Sequence, residues 1–430
     1  MSSKPKGKND HAWEELFRKY DIINQIDMKE KFIISANQIK EFREPRLMAK
    51  FDHNVNLPQI FSENKLAILP ISRGDYVISN FEAYKKFENT SKKVIQASLP
   101  DHIQSLDKNN IQSEVISINC ALASGILNDF LGEENLIATV SGRMGSDCFD
   151  FDIKNSKSGR FSSIEVANSQ IEIDAAYEGV GSLTLLEAKR DISEDFLIRQ
   201  LYYPYRVWNE RVSKKIRPVF LVYSNDIFSL YEYEFKNPKI YNSLELVQQR
   251  NYILEDIEIT IGDLENLLIN TQIVKEPEIP FPQANNFKRV INVCELLSNT
   301  AMDRDEVTEE YAFDIRQTNY YTDACRYLGL VEKDKKGIKI MYRLTSKGKL
   351  IMSMSRRQRQ LEFCKSMLEH KAFNETFLIT LKEGRVPNKQ RIAGIMKQCK
   401  LYKIESEDTY KRRASTISGW INWMLEIVNE

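Results

Sequence analysis

Apolar positions change their spacing several times along the chain, and each change marks an element. Residues 1–10 are polar and Lys-rich, the composition of a disordered tail. From Trp13 to about Ile26 the apolar residues return at helical spacing. The stretch to about Leu99 is mixed. It holds predicted strands at 65–71 and 76–78, a basic turn containing Arg43 and Arg46, and Pro58 after Leu57. Between 113 and 131, Val115, Ile116, Ile118, Leu122, Ile126, Leu127 and Leu131 recur near every 3.6 residues, predicting one amphipathic helix that opens a central domain. From 136 to 235 short apolar strands alternate with turn residues. Positions 170–176 place Ile171 and Ile173 on one face and Glu172 and Asp174 on the other. Gly179 and Gly181 then turn the chain into a second strand at 183–189, which predicts a hairpin. Leu183, Leu185, Glu187 and Lys189 share a face of that strand. Ser193 reads as the cap of a helix over 194–208 that carries Gln200 and ends or kinks near Pro204, and 217–224 reads as a buried strand.

The pattern changes again after a linking stretch at 236–286, which has a short helix near 261–269 and a proline-rich run at 276–282. Helices are predicted at 287–297, 304–312 and 315–328, the last capped by Asp314 or Thr318. Strands at 330–333 and 338–344 flank a basic turn, so three helices precede a hairpin in the layout of a winged helix-turn-helix. A long helix at 346–369 leads to a second helical unit at 373–381, 389–399 and 409–427, which has no clear wing. The expected fold class is mixed α/β. The expected division is an N-terminal module (1–105), a central domain (106–275), a winged-helix domain (284–369) and a further helical unit (370–430).

A length of 430 residues agrees with several domains, and 42% hydrophobic with 28% charged residues is an ordinary globular composition. No apolar run approaches 18 residues and the N-terminus lacks a secretory signal, which predicts a cytoplasmic protein. The six cysteines are scattered without a C-x-x-C pair and there are four histidines, so buried reduced thiols are expected rather than zinc ligands. The net charge of zero is unevenly spread. Residues 331–430 hold 22 Lys and Arg against 11 Asp and Glu, leaving 39 against 50 in the rest. A basic tail suits a polyanion, and its loss is expected to weaken DNA binding. No Ser/His/Asp arrangement, G-x-x-x-x-G-K-S/T loop or G-x-G-x-x-G run is present, so ATP-driven and dinucleotide-dependent activities have no support.

The candidate chemistry lies on the predicted hairpin. Asp174 and Glu187 come from neighbouring strands, where two carboxylates can hold Mg2+ with part of its water shell. Lys189, two residues beyond the second acid, can orient a metal-bound water or stabilise charge on a phosphate. With Gln200 on the next helix and a buried strand after it, residues 113–235 resemble the PD-(D/E)xK nuclease superfamily and the plan of a type II restriction endonuclease. In that comparison Asp174 matches the first acid, Glu187 the second, Lys189 the lysine and Gln200 the following glutamine, while Ile173 stands where the family name has proline. The resemblance implies a restriction-endonuclease-like mixed sheet flanked by helices and a Mg2+-dependent endonuclease on double-stranded DNA. It also implies a homodimer and a cognate DNA methyltransferase as functional partner. Glu172 and Glu165 are further acids that can join the site. Two other readings stay open: a DNA-binding regulator on an inert nuclease fold, and a repair nuclease that recognises DNA structure.

Candidate DNA contacts fall in four places. Arg143, Ser146 and Asp147 form a glycine-bearing turn. Arg316, Gln317, Asn319 and Tyr320 begin the helix that occupies the recognition position, and Lys333, Lys335 and Lys336 lie on the wing. Lys411, Arg412 and Arg413 open the last helix, where cations oppose the helix dipole unless phosphate is near. Arg43 and Arg46 are the weakest candidates.

Overall fold

The computed structural model describes residues 6–91, 93–254, 258–310, 313, 315–336 and 339–428. It is mixed α/β and divides into two compact units. The first comprises Met1–Ile95, Ser117–Tyr223 and Phe228–Tyr252; the second comprises Gln96–Ile116, Ser224–Ile227 and Ile253–Glu430.

The first unit begins with two helices, Lys8–Tyr20 and Ile22–Lys29, separated at Asp21, whose φ of 49° is left-handed. The single helix expected from Trp13 therefore starts earlier and breaks once; of the expected tail, residues 1–5 lie outside the described residues. Trp13, Phe17 and Phe61 pack edge to face and cover a three-stranded antiparallel sheet of Phe32–Ser35, Asp75–Ser79 and Ala67–Pro70.

The main element is a seven-stranded mixed sheet. Its spatial order is Val94–Gln96, Leu244–Ile253, Ile227–Phe235, Lys215–Ser224, Ser182–Lys189, Gln170–Glu178 and Ile137–Gly145. Ser182–Lys189 runs antiparallel to Gln170–Glu178, as the hairpin pattern predicts, and parallel to Lys215–Ser224. Ile216, Val219, Phe220, Leu221 and Tyr223 of the latter are all buried, which explains its nearly continuous apolar run: layers cover both faces of the strand. Cys148–Lys154 and Phe161–Ala167 form a separate two-stranded sheet.

Three local expectations change. The helix expected over 113–131 is two helices, Glu114–Ala123 and Ile126–Leu131, because Gly125 takes a left-handed φ of 74° between them. The helix bearing Gln200 is Arg199–Arg211, not 194–208, and Ser193 does not cap it: Asp195–Leu197 pairs as a short strand with Tyr84–Lys86 instead. Pro204 lies inside that helix without ending it. Lastly, the 346–369 helix is divided into Ser346–Met352 and Arg356–Leu368.

In the second unit, Phe287–Leu297, Arg304–Glu310 and Ile315–Tyr327 precede the antiparallel strands Val331–Lys336 and Lys339–Leu344, with Met302–Asp303 as a third strand. Residues 311 and 312 at the end of the expected 304–312 helix, Asp314, and residues 337 and 338 in the hairpin lie outside the described residues. Thr318, the other expected cap, is buried within its helix. One apolar core joins these elements to Lys371–Glu383, Lys389–Gln398 and Glu407–Glu426. Phe287 meets both Trp420 and Trp423, and the Trp420 indole donates to the Ala284 carbonyl at 2.6 Å. Gly419 permits this approach, since a Cβ there would lie 2.2 Å from the Asn285 carbonyl oxygen.

Among the described residues no helix is long and apolar enough to cross a membrane. Cys120, Cys294, Cys325 and Cys364 are buried free thiols and Cys399 is half-buried. Cys148 departs from the expectation: it is exposed at the start of its strand, where the outward face of an alternating pattern begins.

Candidate active site

The site is built at the end of the hairpin. Leu183 to Leu186 pair with Glu178 to Ala175, and the next positions along each strand are Asp174 and Glu187. The Gln170–Glu178 strand is irregular here. Its pairing with Ile137–Gly145 passes from Ala176↔Val140 to Ile173↔Gly142, three residues opposite two. Such a bulge reverses the inward side of a strand, and Ile171, Ile173 and Ala176 accordingly all reach the same core. Simple alternation is thus interrupted at Asp174 itself, whose Oδ2 accepts the Ala188 backbone N–H at 2.8 Å.

Glu187 is the centre of the arrangement. Its Oε1 accepts from Lys189 Nζ at 2.6 Å and from Gln200 Nε2 at 2.7 Å, and Lys189 also donates to the Ala188 carbonyl at 3.1 Å. The structure therefore brings Asp174, Glu187, Lys189 and Gln200 together, Gln200 from the first turn of Arg199–Arg211. Burial raises the Glu187 carboxyl to about 7, with Asp174 and Asp52 adding to the rise and Lys189 opposing it.

His53 and Asp191, which the sequence reading does not assign to the site, pair with each other, and Asp191 is within electrostatic reach of Lys189. His53 is buried, with Nδ1 2.6 Å from the Asp195 carbonyl oxygen and Nε2 3.2 Å from Asp191 Oδ2. The 51–54 loop is fastened to the segment between Lys189 and Gln200: Leu197 N–H donates to the Asp52 carbonyl, and Asn54 N–H to the Asp195 carboxylate. No periodic signal joins a histidine at 53 to acids near 190; only tertiary structure does.

Among the described residues no three His, Cys, Asp or Glu side chains gather into a metal cage. Asp174 and Glu187 nevertheless offer hard oxygen donors of the kind Mg2+ takes in small number, completing its shell with water and phosphate. Gln200 Oε1 is a buried oxygen with no hydrogen-bond partner among the described residues, and a cation beside Glu187 would offset the burial and like-charge effects that raise its pKa.

The other acids are placed elsewhere. Glu172 is exposed and paired with Arg143 at 3.2 Å, and Glu165 lies on the two-stranded sheet opposite Asp150. Ser146 is buried and donates to the Asp147 carbonyl, which leaves it turned inward rather than toward a phosphate; Asp147 pairs with Arg211 at 2.5 Å. Arg43 donates to Asn9 at 2.5 Å, while Arg46 is exposed.

In the second unit, Arg316, Gln317, Asn319 and Tyr320 are half-buried on Ile315–Tyr327. Lys411 and Arg412 are exposed near the start of Glu407–Glu426. Arg413 is close to that first helix: burial and Arg412 lower its pKa while Tyr320 and Asp323 oppose the change. Arg413 is thus within electrostatic reach of Tyr320, a candidate contact remote from it in sequence. On the hairpin of Val331–Lys336 and Lys339–Leu344, Lys333 is exposed, and Arg343 pairs with Glu332 and Asp334. The side chains of Lys335 and Lys336 lie outside the described residues, although their backbones pair with Ile340 and Lys339.

Three family models match the chain, and each is described only as a domain of unknown function. They are DUF6996 over residues 10–78, DUF6997 over 79–253 and DUF7226 over 289–429. Asp174, Glu187, Lys189, Asp191 and Gln200 fall within the second match and His53 within the first, so the site draws on both. Neither the curated proteins nor the solved structures include a match to this chain.

Proposed function

We propose that the chain is a Mg2+-dependent endonuclease that hydrolyses phosphodiester bonds of double-stranded DNA at specific sequences, in the manner of a type II restriction enzyme. The observation that carries this reading is the convergence on Glu187 of Lys189 and Gln200, with Asp174 on the adjoining strand. In this reading the seven-stranded sheet is a PD-(D/E)xK fold, and residues 287–344 form a winged helix. The enzyme works as a homodimer alongside a cognate methyltransferase.

Asp174 and Glu187 would hold the Mg2+, which supplies an activated water and a counter-charge to phosphate when bound. Gln200 fixes the Glu187 carboxylate so that its free oxygen has one orientation. The Lys189 ammonium, 2.6 Å from Glu187, stands where it can orient the attacking water and stabilise negative charge developing on the phosphate. Arg316, Gln317, Lys411 and Arg412 would contact DNA, their cations positioning the duplex and their planar groups reading base edges.

The test is incubation with a long, sequence-rich duplex and Mg2+, beside Glu187→Ala and a chelator control. Discrete fragments that need both the metal and Glu187 support the reading. A duplex left whole in Mg2+ and Mn2+ by a protein that still binds it overturns the reading in favour of the regulator.

A further inference from the structure

His53 is enclosed by oxygen atoms. A backbone carbonyl faces Nδ1 at 2.6 Å, the Asp195 carboxylate lies 4.0 Å from the same nitrogen, and the Asp191 carboxylate lies 3.2 Å from Nε2. The carbonyl oxygen only accepts, so Nδ1 carries a proton, and although Asp191 Oδ2 lies outside hydrogen-bond geometry to Nε2, its negative charge at 3.2 Å favours a second proton there and a positive ring. Asp52 adds a further negative charge to the same surroundings, and Asp191 is itself buried and within electrostatic reach of Lys189.

We propose that His53 and Asp191 form a charge-neutral buried pair that keeps Lys189 committed to Glu187, which makes His53 a positioning residue supplied by the N-terminal stretch. A bare carboxylate at position 191, two residues beyond Lys189, would compete with Glu187 for the ammonium in surroundings that screen charge poorly. The imidazolium removes that competition. The same contacts make the 51–54 loop part of the site, so the N-terminal and central stretches must fold together for Lys189 to be correctly placed. The function of Lys189 rests on the nuclease reading; the charged pair does not.

The experiment compares the full chain with His53→Gln, Asp191→Asn and the double variant. It measures single-turnover cleavage with Mg2+, DNA affinity in Ca2+, thermal unfolding, and ring-nitrogen NMR at pH 7.5. The chain has four histidines, so the signal missing from His53→Gln assigns His53. His53→Gln is expected to slow cleavage about 10- to 100-fold with DNA affinity unchanged. The double variant, which removes both charges, is expected to recover most of that loss even where its stability does not recover. An unchanged rate in His53→Gln, or a double variant as slow as the single one, overturns the positioning role. The ring is expected to be imidazolium in the parent and neutral in Asp191→Asn; a neutral ring in the parent overturns the pair. If the parent cuts no DNA, the nuclease reading falls while the ring measurement still decides the pair. If His53→Gln does not fold, the rate of the double variant and the parent's ring signal decide it.

Discussion

At Glu187 the needs of the fold and of the proposed chemistry oppose each other. Its carboxyl is buried beside a second acid and is pushed up to about 7. An acid whose folded pKa lies above its unfolded value costs no stability below the unfolded value; the cost grows as pH rises between the two and is constant above the folded one. Glu187→Gln removes the ionising group. In metal-free protein it is expected to raise stability relative to the parent at pH 8 and to leave it unchanged near pH 4, read by denaturant unfolding, while abolishing cleavage throughout. A variant less stable than the parent at pH 8 would show that the Lys189 and Gln200 bonds outweigh the burial cost. Asp174, Glu187, Lys189 and Gln200 were legible in the sequence because hairpin spacing and the following helix keep them local. The bulge at Asp174 was not legible, because only pairing with Ile137–Gly145 reveals the extra residue. His53 was not legible either, since its partners are distant in sequence and a buried histidine has no spacing rule.

At the scale of elements, the pattern recovered the hairpin and the buried strand at 215–224, and it missed features decided by backbone conformation or by pairing. Gly125 splits a helix whose apolar spacing continues across the break, and Asp195–Leu197 becomes a strand because Tyr84–Lys86 is there to pair with it. The Glu407–Glu426 helix shows how much one close approach can determine. Gly419 lets it lie against the Asn285 backbone, with Thr416 donating to Asn285 and Trp420 donating to Ala284 on the same side. A Cβ would strike the Asn285 carbonyl oxygen, which is backbone and cannot rotate aside as a flexible side chain can. Gly419→Ala is therefore expected to destabilise the second unit by about 1–3 kcal/mol, the range of an overpacked core, despite alanine's better helix propensity. Thermal unfolding followed by tryptophan fluorescence would check it, and a neutral or stabilising result would mean that the helix can withdraw freely. In the second unit's hairpin, Val331–Lys336 continues as strand through Asp334, Lys335 and Lys336, which were expected in the turn, because they pair with Met341, Ile340 and Lys339, and Arg343 is bound to two acids of the facing strand. Arg343 is thus neutralised by its facing strand, which sequence charge alone did not reveal.

At the scale of the molecule, two consequences follow from the single core of the second unit. The first concerns acid. His370 is buried against the Tyr327 ring and its pKa is pushed down to about 3 by burial and by Lys347. A histidine with a depressed folded pKa contributes stability above its unfolded value of 6.5 and loses it as pH falls from there toward the folded value. About 2 kcal/mol is expected to be lost from this group by pH 5. The Glu276 carboxyl nearby, raised to about 6 by burial, acts in the opposite sense, so the effect is isolated by comparing the parent with His370→Gln. The stability difference between the two is expected to change by that amount between pH 7.5 and 5. A constant difference would mean that the ring is not held neutral.

The second consequence concerns DNA. The excess of positive charge over 331–430 makes that stretch the proposed DNA-binding region, but removing those residues would cut through a core that joins Phe287 to Trp420 and Trp423. Weakened binding in such a truncation would report unfolding as readily as lost contacts. The exposed cations can be removed one at a time instead. Lys411 and Arg412 stand at the start of Glu407–Glu426, beside Arg413, which lies near Tyr320 of Ile315–Tyr327. If that shared face binds phosphates, each cation that contacts one releases about one counterion, and the slope of log affinity against log salt falls by about one for each contact removed. Lys411→Ala with Arg412→Ala is expected to reduce the slope by about two and to weaken binding to all sequences alike. Gln317→Ala, which removes a base-reading group and no charge, is expected to keep the slope and to lower discrimination between sequences. Unaltered slopes in the first variant would remove this face from the DNA interface and leave the rest of the basic surface to be searched.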